Sequence, residues 1–297
     1  MKNKIIREIK RPFRQLITKC GFGKPTRMSD NEINHDKELY TKLNNDPRFE
    51  IRSEYEWICR DDKYAENGSI MDSSYFIQDI WGARKVFLNK PKIHYDVGSL
   101  VVGFIAHLLS MNQRVVLIDV RAMNNDFDTD FINNYRHGLS NTGGGGGISY
   151  IQSDATHLNN LASNSIESIS ALCSVEHFGL GRYGDPINPS AWKDALLSFQ
   201  RVLQPNGRLY FSVPVSKTNK LCFNAHRVFH PQTIIEVLDY MQVLEVSFIK
   251  GFDTQVYMEY RDGELFVYDS IFDSLSDKSK DYVVGLFEFR KKPSILQ

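Results

Sequence analysis

Cysteine is scarce in this sequence. Cys20, Cys59, Cys173 and Cys222 are the only four in 297 residues, and no two share a C-x-x-C spacing. That spacing indicates neither a zinc ribbon nor a disulfide framework, and reduced thiols of a cytoplasmic protein are the expectation. No apolar run approaches the roughly 18–20 residues that span a bilayer, and the first residues lack the apolar stretch of a signal peptide. G-x-x-x-x-G-K-[ST], H-E-x-x-H and G-x-S-x-G do not occur, which sets aside the common triphosphatase, zinc-protease and serine-hydrolase designs. What remains is ordinary globular composition, 42% hydrophobic and 24% charged, enough for a core without staples.

Net charge is also lacking, but the zero hides an asymmetry. Of 36 basic and 36 acidic side chains, residues 1–29 hold nine of the former and only Glu8 of the latter, so the remainder carries about −8. Ile5, Ile6, Ile9, Phe13, Leu16 and Ile17 recur through this arm at helical spacing. A basic amphipathic helix can lie on an anionic membrane surface, or dock on its own domain or on a partner subunit of a homo-oligomer. The acidic body and the absence of a recognition motif argue against nucleic acid.

Residues 31–68 are polar and mixed, and SSYFIQDIWGARKVF (73–87) reads as an amphipathic helix. Beyond Pro91 the pattern alternates. Strands are expected at KIHYDVG, RVVLIDVRA (114–122), ISYIQSDA (148–155), SIESISALCSV (165–175), GRLYFSVPV (207–215), VLEVSFIK (243–250) and YVVGLFEFR (282–290). Helices are expected at VVGFIAHLL, SAWKDALLSFQRVL (190–203) and PQTIIEVLDYM (231–241). The division is therefore a basic arm (1–30), a helical lead-in (31–90) and an α/β domain (91–297) with a parallel sheet and ligand chemistry at the strands' carboxyl ends. GGGGG (143–147) precedes a strand rather than opening a helix, so it reads as a loop and not a phosphate cradle.

IHYDVGSLVVGF (93–104) carries the main functional signal. Gly98 and Gly103 are the outer glycines of G-x-G-x-x-G, but Leu100 stands where the middle glycine lets backbone approach a pyrophosphate. A ligand without phosphates demands less there, and S-adenosylmethionine, an adenosine joined to an amino acid through a sulfonium, is such a ligand. Asp119 ends the second strand 21 positions after Gly98, where a carboxylate can accept from a ribose diol. Asp154, with Ala155 beside it, ends the third and is placed to receive the adenine amine; Asp96, Gly98 and Ser99 sit near the amino-acid end. Each aspartate alone is equally a cap or loop residue. Three of them at the ends of successive strands make a pattern.

The order DVGS, VLIDVR, SDATHL, SIESISALCSVEHFGLGRYGDP, RVLQPNGRLYFSVPV resembles class I S-adenosylmethionine-dependent methyltransferases. GFIAHLL, CSVEHFGLGRYGDP and FNAHRVF are more closely similar to a methyltransferase-like family of unknown function found among bacterial surface-polysaccharide genes, over roughly residues 70–240. The resemblance implies a Rossmann-like, seven-stranded, mostly parallel sheet with helices on both faces and a reversed final hairpin. It also implies a small-molecule or glycan acceptor, and a peripheral place at the cytoplasmic membrane face where glycans are assembled on lipid carriers. No D-P-P-Y type tetrad follows the fourth strand, which disfavours amino methylation of DNA bases.

Methyl transfer to a hydroxyl needs alignment and removal of a proton. His177 in CSVEH is the candidate base, with Glu176 to orient it or to touch the cofactor; the pair could equally be pocket wall. In FNAHRVFH, Arg227 could clamp a carboxylate or phosphate and His226 bind a sugar hydroxyl, while Arg182 is a further substrate contact. His226 and His230 lack a third ligand, so no metal is expected. The rival readings are a nicotinamide-dependent oxidoreductase and a fold that has lost catalysis and serves as a scaffold.

Overall fold

In a computed structural model of the chain, the structure describes residues 25–65, 73–99, 101–122, 147–268 and 281–293. Most of the basic arm, Leu100 and most of the pentaglycine run lie outside these residues. The chain divides into two compact units, Met1–Met71 and Asp72–Gln297. No helix among the described residues is long and apolar enough to cross a membrane.

In the first unit, helix α1 (Asp30–Leu43) starts from a capping box. Ser29 Oγ accepts from Glu32 N–H at 3.3 Å, and Glu32 Oε2 accepts from Ser29 N–H at 2.9 Å. Arg60 pairs with Asp30 at 2.6 Å and tethers the following irregular segment to the helix. Among the described residues of this unit only Ile33 is a buried apolar side chain, and Trp57 is 89% exposed.

The second unit holds the sheet. Its strands are β1 (His94–Val97), β2 (Val115–Asp119), β3 (Ile148–Gln152), β4 (Ile166–Leu172), β5 (Leu203–Val215), β8 (Met241–Lys250), β9 (Asp253–Arg261), β10 (Glu264–Val267) and β11 (Val283–Lys291). A separate two-stranded ribbon is formed by β6 (Lys220–Cys222) and β7 (His226–Val228). The nine-stranded order is β10-β9-β8-β11-β5-β4-β1-β2-β3. Strands β3, β2, β1, β4 and β5 pair in parallel, while β11 runs antiparallel between β5 and β8. The sheet thus has nine strands and not seven, and the closing part is a β8–β9–β10 meander with β11 inserted, not one hairpin.

Two apolar clusters cover the two faces. One packs α4 (Ala191–Val202) and α5 (Pro231–Val237) on the sheet through Ala195, Leu196, Phe199 and Ile234. The other packs α2 (Ser73–Asn89), α3 (Ala106–Ser110) and the turn ahead of α3 through Trp81, Val86, Leu108 and Phe104. Pro205-Asn206-Gly207 does not precede β5 but lies within it: the register against β4 shifts there, and Asn206 takes the left-handed φ of 65°.

Chain order reverses between β1 and β4, the topological switch point at which open α/β sheets bind ligands. The polypeptide leaves β1 through Gly98 (φ 71°), where a Cβ would stand 3.0 Å from Ser174 Cβ. It then enters a π-helical turn, Val101–Ile105, ahead of α3. Gly103, the last glycine of the loop pattern, faces α2: a Cβ there would stand 1.9 Å from Asp79 Oδ2. Its small size thus serves helix packing. Gly103→Ala should cost about 1–3 kcal/mol in urea denaturation, the range for overpacking. In an Asp79→Ala background the same change should be neutral or stabilising, since alanine is the better helix former. Equal cost in both backgrounds would contradict this packing.

Candidate active site

A cavity of about 890 Å³ opens at the switch point and is walled by the ends of β1 to β5, the N-terminal turns of α2 and the β6–β7 ribbon. Of the residues singled out from sequence, Gly98, Ser99, Asp119, Asp154, Ala155, Glu176, His177, Arg182 and His226 line it. Asp96 and Arg227 do not.

Asp96 is 1% exposed and points into the sheet, so its assignment as a ligand contact is corrected to support of the loop. Its carboxylate accepts from Ser170 Oγ on β4 at 2.5 Å, from Ser99 Oγ at 2.8 Å and from Ser99 N–H at 3.2 Å. Burial raises its pKa to about 6. Ser170 Oγ also meets His94 Nε2 at 2.8 Å, and His94 Nδ1 meets Ser168 Oγ at 2.8 Å. Since the single Ser170 proton goes to Asp96, His94 Nε2 must be its donor and Nδ1 the acceptor from Ser168. Burial keeps that imidazole neutral, its pKa pushed down to about 3.

Arg227 is likewise corrected, from substrate clamp to brace. Its guanidinium donates to the carbonyl of Phe178 at 2.6 Å and to those of Pro189 and Glu176 at 3.4 and 3.5 Å. The fork is filled by backbone and ties β7 to the loop after β4.

Asp119 holds its expected place but is occupied. Its Oδ1 accepts from Arg121 N–H and Nε, both at 2.9 Å, and its Oδ2 from Arg121 Nη2 at 2.7 Å. Arg121 then lies over the Tyr183 ring at 4.8 Å, and Arg182 is 5.0 Å from the same ring. Asp154 accepts from Thr156 N–H at 2.8 Å, a turn that leaves the aspartate exposed at the rim.

Past β4 the backbone turns through Cys173, whose φ is 48°. Its N–H groups with Ser212 O at 3.0 Å and Ser212 Oγ at 2.9 Å, pinning the turn to β5. Glu176 follows, 2% exposed, with no hydrogen-bond partner for Oε2 among the described residues; the same holds for Ser174 Oγ and His226 Nε2. Burial raises the Glu176 pKa to about 8. His177 Nδ1 stands 2.6 Å from the carbonyl of Ala225, so Nδ1 carries the proton and Nε2 offers a lone pair 3.6 Å from Glu176 Oε1. Burial lowers the His177 pKa to about 4, with Arg182 and His226 adding to the effect against the Ala225 bond. At neutral pH the proton of the pair therefore sits on Glu176.

Sequence reasoning missed the α2 wall of Ser74, Tyr75, Gln78 and Asp79, and also Arg121, Tyr183 and Tyr282. Gln78 had a signal: it shares the apolar helical stripe of Gly82 and Val86, and its Oε1 accepts from Ser212 Oγ at 2.6 Å. No metal-binding cluster occurs among the described residues.

The profile of the family described as "Caenorhabditis protein of unknown function, DUF268" matches residues 148–254. No curated protein matches the chain. Among solved structures it is similar to the [4+2]-cyclase SpnF at 14% identity and TM-score 0.49, covering 72% of this chain and 80% of that one. It is also similar to the 1,6-didemethyltoxoflavin-N1-methyltransferase of Burkholderia thailandensis, solved with S-adenosylhomocysteine, at 12% identity, TM-score 0.47 and coverages of 91% and 93%. The N-methyltransferase NodS of Bradyrhizobium japonicum, also with S-adenosylhomocysteine, shows 13% identity, TM-score 0.44 and coverages of 86% and 97%. All three scores are low, and the fold rests on the strand order itself.

The buried Glu176 carboxyl gives a prediction that needs no ligand. Its pKa is raised on folding, so the stability it contributes is present below about pH 4.5 and is lost as pH rises through about 8. Glu176→Gln should match the wild type near pH 5 and exceed it at pH 9 by a few kcal/mol, roughly 1–4. Parallel denaturation curves at the two pH values would show it; a variant equally unstable at both would contradict the buried, unpaired state.

Proposed function

We propose that this chain is an S-adenosylmethionine-dependent methyltransferase that methylates a hydroxyl of a saccharide or related anionic metabolite in surface-glycan synthesis. The observation that carries the reading is the placement of two sets of groups around one cleft. Asp119 and Asp154 close consecutive strands on one side, and Glu176, His177, Arg182 and His226 stand on the other. The unpartnered Ser174 Oγ and Glu176 Oε2 fit a polar ligand seated between the sets, because buried polar atoms without partners are costly. The hydroxyl acceptor and the glycan setting rest on the sequence resemblance.

The cofactor, when bound, supplies a methyl group already activated by a sulfonium. Asp119 would hold its ribose diol in place of the Arg121 fork, and Asp154 would receive its adenine amine. His177 Nε2 takes the proton of the acceptor hydroxyl, its tautomer fixed by the Ala225 carbonyl. Glu176, once ionised, is the stronger base of the pair and can hold that proton after His177. Arg182 presents its guanidinium beside His177 to an anionic acceptor.

Arg121 favours a second reading. An arginine beside the acidic residue at the end of the second strand suits the 2′-phosphate of a nicotinamide dinucleotide. Calorimetric titration with S-adenosylhomocysteine and NADP side by side separates the two. The methyltransferase reading expects binding of the former only, and Asp119→Ala should weaken it by about 1.5–3 kcal/mol. Tight NADP binding reverses the assignment. His177→Ala should retain S-adenosylhomocysteine binding while turnover on the acceptor falls about 10²–10⁴-fold; full turnover would leave His177 as pocket wall.

A further inference from the structure

The floor of the cleft carries carboxyl groups that no lysine or arginine reaches within 4 Å among the described residues. Glu176 is almost wholly buried, and its Oε2 has no hydrogen-bond partner among the described residues. Its salt-bridge neighbour within 4 Å is His177 Nε2 at 3.6 Å, whose ring proton is committed to Ala225 on the other nitrogen. Arg182, the cation of the following loop, spends its Nη1 on the Ala225 carbonyl at 2.9 Å. Across the turn, Asp79 on α2 lines the same cleft and forms no ion pair among the described residues; it accepts from Gln78 and from the Phe104 N–H. Cys173 lies between them, its thiol bonded to Glu176 and raised first by burial, then by the charges of Glu176 and Asp79. Ser174 Oγ completes the floor, also without a partner.

This arrangement is costly in a folded protein. An ionised carboxylate in low dielectric needs a counter-charge, and without one it keeps its proton. The groups that act on Glu176 are Cys173 from the end of β4, His177 from its own turn and Arg182 from the loop, while Ser174, His226 from β7 and Asp79 from α2 line the same cleft. Of these only Arg182 is cationic; its charge favours the Glu176 carboxylate, but less than burial opposes it, and its Nη1 is bonded to the Ala225 carbonyl.

We infer that the cleft floor around Cys173 recognises positive charge: the buried, unpartnered Glu176 Oε2, in a cleft that Asp79 also lines, pairs with a cationic ligand and not with a neutral one of the same shape. The inference rests on the methyltransferase reading for the identity of that cation, a sulfonium. The balance is simple. Glu176 carboxylic acid and a sulfonium ligand give a carboxylate–sulfonium contact and one proton released to solvent. A thioether, which lacks the charge, leaves the proton in place. After transfer, the loss of the sulfonium charge removes the counter-ion, Glu176 takes a proton back, and the product is held less firmly than the substrate. The same ionisation prepares Glu176 to accept the acceptor's proton through His177.

The experiment is isothermal titration of the full chain at pH 7 with S-adenosylmethionine and with S-adenosylhomocysteine, each in two buffers of different ionisation enthalpy. The expected result is release of close to one proton with the sulfonium and none with the thioether. In Glu176→Gln the release should vanish, and affinity for the sulfonium should fall at least tenfold while that for the thioether moves less than threefold. Asp79→Asn, a second isosteric variant, should shift the same preference in the same direction by a smaller factor. Equal proton counts for the two ligands in wild type, or equal losses of affinity for both in the variants, would overturn the inference and leave the cofactor reading standing. Failure of wild type to bind either ligand would overturn the cofactor reading and this inference with it.

Discussion

The rest of the site depends on a buried carboxylate that touches no ligand. Asp96 sits at the last turn of β1, directly opposite Ser170 of β4 in the parallel register. Its bonds to Ser170 and Ser99 join the two strands whose ends form the switch point, and they fix where the chain leaves β1. From that exit follow the left-handed Gly98, its close approach to Ser174, and the start of the turn that carries α3. His94 and Ser168 extend the same polar row inward, each group bonded to the next. A fully satisfied row of this kind, set in an otherwise apolar layer, specifies one register. A one-residue slip of β4 against β1 would put Ile169 or Ala171 opposite the carboxylate and leave it only its bonds from Ser99.

The cleft above that row is built on the opposite principle. The support is fully hydrogen-bonded, whereas the floor keeps Ser174 Oγ, Glu176 Oε2 and His226 Nε2 without partners. Each such atom costs about 1–3 kcal/mol when buried. Sites that bind polar ligands carry this debt because the ligand discharges it. The contrast between a satisfied lower layer and an unsatisfied upper one marks the functional surface better than cavity size does.

Much of the architecture was legible because it repeats a period. β2 and the second half of β5 are near-continuous apolar runs, and α4 has a single apolar face, so burial dictates them. β9 and β10 were not legible, since DTQVYMEYR and ELFV are half-exposed edge segments whose order comes from pairing with β8 and with each other. β6 and β7 are three residues each and exist only as partners. Within the site, strand-end position led to Asp119 and Asp154, which line the cleft, but not to the burial of Asp96. The period-2 rule held the correction: His94 and Asp96 share a face of β1, and Ser168 and Ser170 share the facing row of β4. Arg227 was misjudged because a guanidinium fork suits three backbone carbonyls as well as an anion, and only the fold brings Phe178, Pro189 and Glu176 to it. Arg121 and Tyr183 have no sequence signal, for nothing local says that two loops 60 residues apart converge.

That convergence links the two ends of the cleft. Tyr183 lies between the guanidinium of Arg121, which fills the Asp119 carboxylate, and that of Arg182, which shares the Ala225 carbonyl with His177. Under the proposed reading a ribose diol can reach Asp119 only if Arg121 withdraws. The Arg121 side chain is 53% exposed, so its ion pair is worth about 0–1 kcal/mol and its ring contact roughly 0.5–1. A ribose diol would replace the bonds it displaces with its own bonds to the ionised carboxylate, while the exposed guanidinium returns to water, so the exchange is close to balanced. Withdrawal of Arg121 also takes one of two guanidiniums off Tyr183, whose ring stands 5.5 Å from that of His177. Under that reading, occupation of the ribose end removes one of the contacts on Tyr183 beside His177, so the two ends of the cleft are coupled through that ring.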